Sequence, residues 1–199
     1  MKKTMKKIVA LGSGAALLVS ASVMGTMAYL TSQTKTVTNT FTVGNVVITL
    51  DEAPVDADGD KTTGNRVMEN SYKLMPGHDY DKDPTVHVDA ESEDAWLFVK
   101  VVDEIVNIQD TTTVAEQMYA NGWTLVNGES NVYAYEAIVT GGNDYVVFET
   151  FKIKGDVKND ELAAYDGKTI TVEAFAVQAD GFGTSDEAWT AAKADWANQ

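Results

Sequence analysis

Two histidines and thirty acids are the side chains of this sequence best suited to do chemistry, and cysteine is absent. His78 and His87 do not stand in the HExxH spacing that puts two zinc ligands on one helix face. Asp79, Asp81 and Asp83 alternate after His78, a weak cation-binding pattern that a loop or strand edge explains equally. Asp56, Asp58 and Asp60 alternate in the same way and resemble the start of an acidic calcium loop. An EF-hand loop beginning at Asp56 needs glycine where Lys61 stands and glutamate where Val67 stands. These three aspartates are the metal candidates carried forward, with calcium as the ion, and a solvated turn is the better reading of them. No GxSxG elbow, cysteine nucleophile, P-loop or Rossmann glycine pattern occurs. Among thirty acids, a pair suited to glycoside hydrolysis carries no information. The chemistry-bearing residues thus predict no enzyme and no required cofactor.

The elements that would position these residues begin after a leader. Lys2, Lys3, Lys6 and Lys7 precede an apolar stretch from Ile8 to about Val23, and Thr26-Met27-Ala28 puts small residues where a signal peptidase reads. Residues 1–28 are therefore read as a helical signal peptide, cleaved between Ala28 and Tyr29. The competing reading is an uncleaved anchor over Ile8–Ala28, the one route by which this chain would meet a membrane. Cleavage leaves 199 − 28 = 171 residues, one domain's worth. All 30 acids and 11 of the 15 lysines and arginines lie after residue 28, so the mature charge is 11 − 30 = −19. Such a surface repels nucleic acid and suits solubility outside the cell. Without cysteines, a secreted chain must draw its stability from packing, metal or assembly.

The mature chain divides into an arm, 29–40, and a domain, 41–199. The arm is polar and threonine-rich, extended-prone, and too poor in apolar groups to form a core. Val46, Ile48 and Leu50 share one strand face. Asp51–Asn70 reads as a loop, and Pro76-Gly77 as a turn leading to a strand at about Thr85–Ala90. Trp96–Val102 is almost continuously apolar and predicts a central strand covered on both sides. Thr113 and Glu116 form a capping box for a short helix over Thr111–Ala120. Trp123–Val126 and Asn131–Ile138 predict a hairpin about Asn127-Gly128. Tyr145–Lys154 reads as one long strand with Glu149 partly buried, and Lys158–Tyr165 as a brief helix. In Thr169–Gln178, Ile170, Val172, Ala174 and Ala176 share one face and Phe175 and Val177 the other. Thr184 and Glu187 make a second capping box, and Trp189, Ala192 and Trp196 form a stripe that docks a C-terminal helix. Short strands between Gly, Asn and Asp turns, with few helices, predict a mainly β antiparallel sandwich.

Three stretches resemble the TasA/camelysin family of secreted proteins. They are the lysine-rich leader with MAYLTSQTKTVTNTFTVGNVVITL, the turn and strand LMPGHDYDKDPTVHV, and the late strand TITVEAFAVQADGF. In the second, His78 stands where the family often has Asp. The resemblance implies a jelly-roll sandwich, processing by a SipW-type signal peptidase, and a place in the extracellular or cell-surface biofilm matrix. It also implies fibres, homopolymers or mixtures with related subunits, in which the mature N-terminus of one copy adds as a strand to the next. The donor would be the arm, with Tyr29, Leu30 and Val37 as its apolar contacts. Strand addition supplies main-chain hydrogen bonds at an open edge, and head-to-tail addition does not close. Camelysin-type peptidase activity is not carried over, because no zinc triad is present. A monomeric surface-binding module would instead expose Trp123 or Tyr133 in a groove.

Overall fold

The computed structural model describes residues 31–34 and 45–197. The leader, the Ala28–Tyr29 bond and the arm residues Tyr29, Leu30 and Val37 lie outside the described residues. In chain order the strands are β1 (Thr31–Thr34), β2 (Ile48–Asp51), β3 (Asp79–Asp81), β4 (Thr85–Val88), β5 (Ala95–Asp103), β6 (Trp123–Leu125), β7 (Val132–Tyr135), β8 (Asp144–Val146), β9 (Thr150–Lys152) and β10 (Ile170–Gln178). The helices are α1 (Val114–Ala120), α2 (Asn159–Leu162) and α3 (Ser185–Ala197), with single 3-10 turns at Val106–Ile108 and Ala163–Tyr165. All strand pairs are antiparallel. They form a five-stranded sheet in the order β1-β10-β5-β7-β6, a three-stranded sheet β2-β4-β8, and the pair β3-β9. The fold is mainly β with a few short helices, as the turn spacing predicts. Among the described residues no helix is long and apolar enough to cross a membrane.

The central run of β5 explains the layering. Leu97, Val99 and Val101 face the main core, where they meet Ile48, Leu50, Val86 and Val88 of the three-stranded sheet and Ala174 and Ala176 of β10. Trp96 and Phe98 face the other way with Phe175 and Val177, beneath Trp189, Ala192 and Trp196 of α3. Over Ala95–Val99 the strand is buried on both faces and has no polar side to show, hence its unbroken apolar sequence there. The predicted caps hold α1 and α3 in place. Thr113 Oγ1 accepts from Glu116 N–H, and the Glu116 carboxylate accepts from Thr113 N–H, the full capping box. At α3, Thr184 Oγ1 accepts from Glu187 N–H (3.2 Å), but the Glu187 carboxylate accepts from Gly183 N–H (2.8 Å), one residue before the expected partner.

Two expectations are corrected. Tyr145–Lys154 is not one strand: β8 pairs with β4, β9 pairs with β3, and Val147-Phe148-Glu149 separates them. The break has a distant cause. The Gln117 side chain on α1 accepts the N–H groups of Glu149 and Thr150 and donates to Thr150 C=O (2.7 Å), taking bonds a continuous ladder would need. Val147 and Phe148 are consecutive and both wholly buried, and Glu149 is exposed, so the two-residue alternation fails there. The stretch after Pro76-Gly77 contains β3, which a turn-only reading misses. Its partner β9 begins directly after that break.

Candidate functional site

β5 pairs with β10 from Ile170 to Gln178 and, among the described residues, β1 pairs with Ala174–Val177 on its other side. On β5, Ala95 and Val101 direct their N–H groups toward Val139 and Asn131, away from β10. By antiparallel alternation Trp96, Phe98, Lys100 and Val102 then bond β10, at Val177, Phe175, Glu173 and Thr171. Ile170 and Val172 consequently point their main-chain groups to the side of β10 on which β1 lies. Beside them is a groove of about 1140 Å3 whose apolar walls include Leu50, Tyr72, Phe151, Leu162, Ile170 and Val172. An extended peptide laid in this groove would find apolar contacts along its walls.

Beside these walls the groove carries a buried polar trio. Lys82 Nζ donates to Glu52 Oε2 (2.5 Å), with side chains only 11% and 6% exposed. Asn70 Nδ2 donates to Glu52 Oε1 (3.0 Å) and to Ala53 C=O (2.8 Å), and Asn70 Oδ1 accepts from Val55 N–H (3.1 Å). Two backbone bonds between Glu52 and Val67 hold the first of these residues, and Lys82 N–H donates to Glu149 C=O. Tyr72 roofs the trio, its ring centroid 5.9 Å from Lys82 Nζ and its edge against Phe151. Burial, aided by the Glu52 charge, pushes the Tyr72 phenol well above its usual range.

The sequence-predicted metal candidates form a turn. Asp56 Oδ1 accepts the N–H groups of both Asp58 and Asp60, so this carboxylate shapes the loop. Among the described residues no group of three or more histidine, aspartate or glutamate side chains gathers around a cation position. The two histidines have separate partners: His78 Nε2 bonds Asp58 C=O (2.7 Å), and His87 bonds Asp144 and Asp51. Trp123 is fully buried, with its indole N–H donating to Val146 C=O (2.8 Å), so it lines no binding groove. Tyr133 is half-buried with its ring edge near Tyr119.

The sequence reading missed Arg66, which the structure makes a hub. Its guanidinium bonds the Asp51 carboxylate through Nε, Asp83 Oδ2 (3.2 Å) and C=O (2.9 Å), and Thr85 Oγ1 (2.9 Å). Burial works against the Asp83 charge, but Lys61, the Ala53 N–H and Arg66 outweigh it and hold that carboxyl below its usual range. The only signal in the sequence is an arginine inside an otherwise turn-forming stretch. Scans against family models, curated proteins and solved structures return no match to this chain.

Proposed function

We propose that this chain is a secreted, non-enzymatic structural protein that builds extracellular matrix fibres. The mature N-terminal arm of one copy adds as a strand to the β10 edge of the next, in a domain of jelly-roll type. The single observation that carries this reading is the register of β1, in which Thr31 lies opposite Val177 and Thr34 opposite Ala174. A strand from the arm region already fits that edge, and a second copy can offer the same strand to it. Exchanging identical elements between copies keeps the contacts and changes only the chain that supplies them. The groove beside Ile170 and Val172 offers apolar contacts to an incoming strand. The order β1-β10-β5, first strand beside last beside middle, is compatible with a jelly roll. The resemblance to TasA-like sequences and the leader support secretion and SipW-type processing.

The absence of cysteine makes a clean test possible. Two variants of the chain starting at Tyr29, Thr31→Cys and Val177→Cys, are mixed under conditions that give filaments and then oxidised. Directly opposed positions lie within disulfide reach. A mixed disulfide dimer on a non-reducing gel, with no filaments by electron microscopy from a chain starting at Phe41, is the expected result. Filaments without the mixed dimer, or equal filaments from the shortened chain, overturn strand donation.

A further inference from the structure

The polar trio beside the groove has the composition and connectivity of a self-processing centre, and its chemistry is independent of fibre assembly. A lysine, a carboxylate and a primary amide are joined through the one carboxylate: Glu52 Oε2 to Lys82 Nζ at 2.5 Å and Glu52 Oε1 to Asn70 Nδ2 at 3.0 Å. An ion pair this buried is a poor source of stability, because desolvation of both charges offsets their attraction. A nucleophile, an acid–base and an electrophile held in one place are, however, the parts an acyl transfer needs.

We propose that Lys82 and Asn70 join in an intramolecular isopeptide bond, with Glu52 as the proton-transfer group. Glu52 Oε2 takes a proton from Lys82 Nζ, freeing its lone pair. Nζ attacks Cγ of Asn70, and the Val55 N–H at Oδ1 stabilises the oxyanion that forms. Glu52 delivers the proton to Nδ2, the Cγ–Nδ2 bond breaks, and ammonia leaves through the open groove. The second Nζ proton, lost as the amide forms, passes through the Glu52 carboxylate to the departing ammonia, which leaves as ammonium. The amine and carboxamide become a secondary amide and ammonia, with no change of oxidation state and no other reactant. Fixed placement of the three groups supplies the effective concentration. Tyr72 and Phe151 pack edge to face beside the reacting groups. The product ties the segment before β3 to the segment after it, a covalent staple in a chain that has no disulfide.

Intact-mass spectrometry of the purified mature chain decides this. The expected mass is about 17 Da below that of the sequence, the loss of one ammonia. Tryptic mapping should then give a branched peptide joining residues 70 and 82, with no cleavage after Lys82. Lys82→Arg and Glu52→Gln should each restore the sequence mass. Should either variant fail to fold, the parent chain still decides the matter. The full sequence mass, or the same loss with Lys82 cleaved normally and a succinimide at Asn70, overturns the proposal.

Discussion

The two outer faces of the molecule solve one problem in opposite ways. The five-stranded sheet closes its outer face with α3, and the contacts are almost wholly aromatic: Phe175 stacks on Trp196 at 5.2 Å and Phe98 meets Trp189 at 5.3 Å. Among the described residues the three-stranded sheet has no such cover. Its outward residues are Asp51 on β2, Thr85 and His87 on β4, and Asp144 on β8, joined by hydrogen bonds and ion pairs under Arg66. Apolar burial is non-directional and scales with area, so the helix face tolerates imprecise geometry. The ionic face depends on a few well-aimed bonds and on charge state, so it responds to salt and pH where the helix face does not.

The largest break in this contrast should come from Phe98→Ala. Phe98 is wholly buried between Phe175 and Trp189, and its loss should cost about 3–5 kcal/mol, read by chemical denaturation and nearly independent of salt. Arg66→Ala should cost less, about 1–3 kcal/mol, because it strands two carboxylates that are only partly shielded. That loss should shrink in high salt, and Arg66→Lys should not restore stability, since an ammonium cannot span Asp51, Asp83 and Thr85 together.

The smallest effect should belong to His87. Its Nδ1 lies 2.6 Å from Asp144 Oδ1 and its Nε2 lies 2.8 Å from Asp51 Oδ1, and both acceptors are carboxylates. Only the imidazolium can donate at both nitrogens. Burial opposes the charge, but the bonds to Asp144 and Asp51 prevail and raise the pKa above its ordinary 6.5. The clamp therefore contributes fully below pH 6.5 and is lost as pH rises through the folded value. Unfolding midpoints across that range should fall for the parent chain and change less for His87→Gln, by about 1 kcal/mol or under at the acid end.

The aromatic face was legible in the sequence and the ionic face was not. Trp96–Val102, Thr169–Gln178 and the stripe Trp189, Ala192, Trp196 carry their periodicity over many residues, and each element forms where the pattern puts it. Asp51, Arg66, His87 and Asp144 are scattered, and nothing local in their spacing brings them together. The division between β8 and β9 is made by Gln117, from a helix whose own start was plain from Thr113 and Glu116. The trio Glu52, Asn70 and Lys82 was invisible for the same reason: two of its members sit in a stretch whose Pro and Gly residues mark turns, and its meaning lies in contacts across the fold. The pairing of β1 with β10 needed the strand order, which periodicity cannot supply.

One side chain changes how the irregular stretch after β2 should be regarded. Tyr80 is 1% exposed and stacks on Phe151. Its hydroxyl donates to Lys73 C=O and accepts from Met75 N–H, both at 2.7 Å. Gly59, at φ 87°, lies so close to its ring that a Cβ there would be 2.4 Å from Cδ1. A single phenol thus rivets the 56–60 turn and the 73–75 segment to β9. In the language of local opening, this stretch is not a fringe that frays by itself. Opening it breaks the Tyr80 contacts with β9, which couples it to the strands.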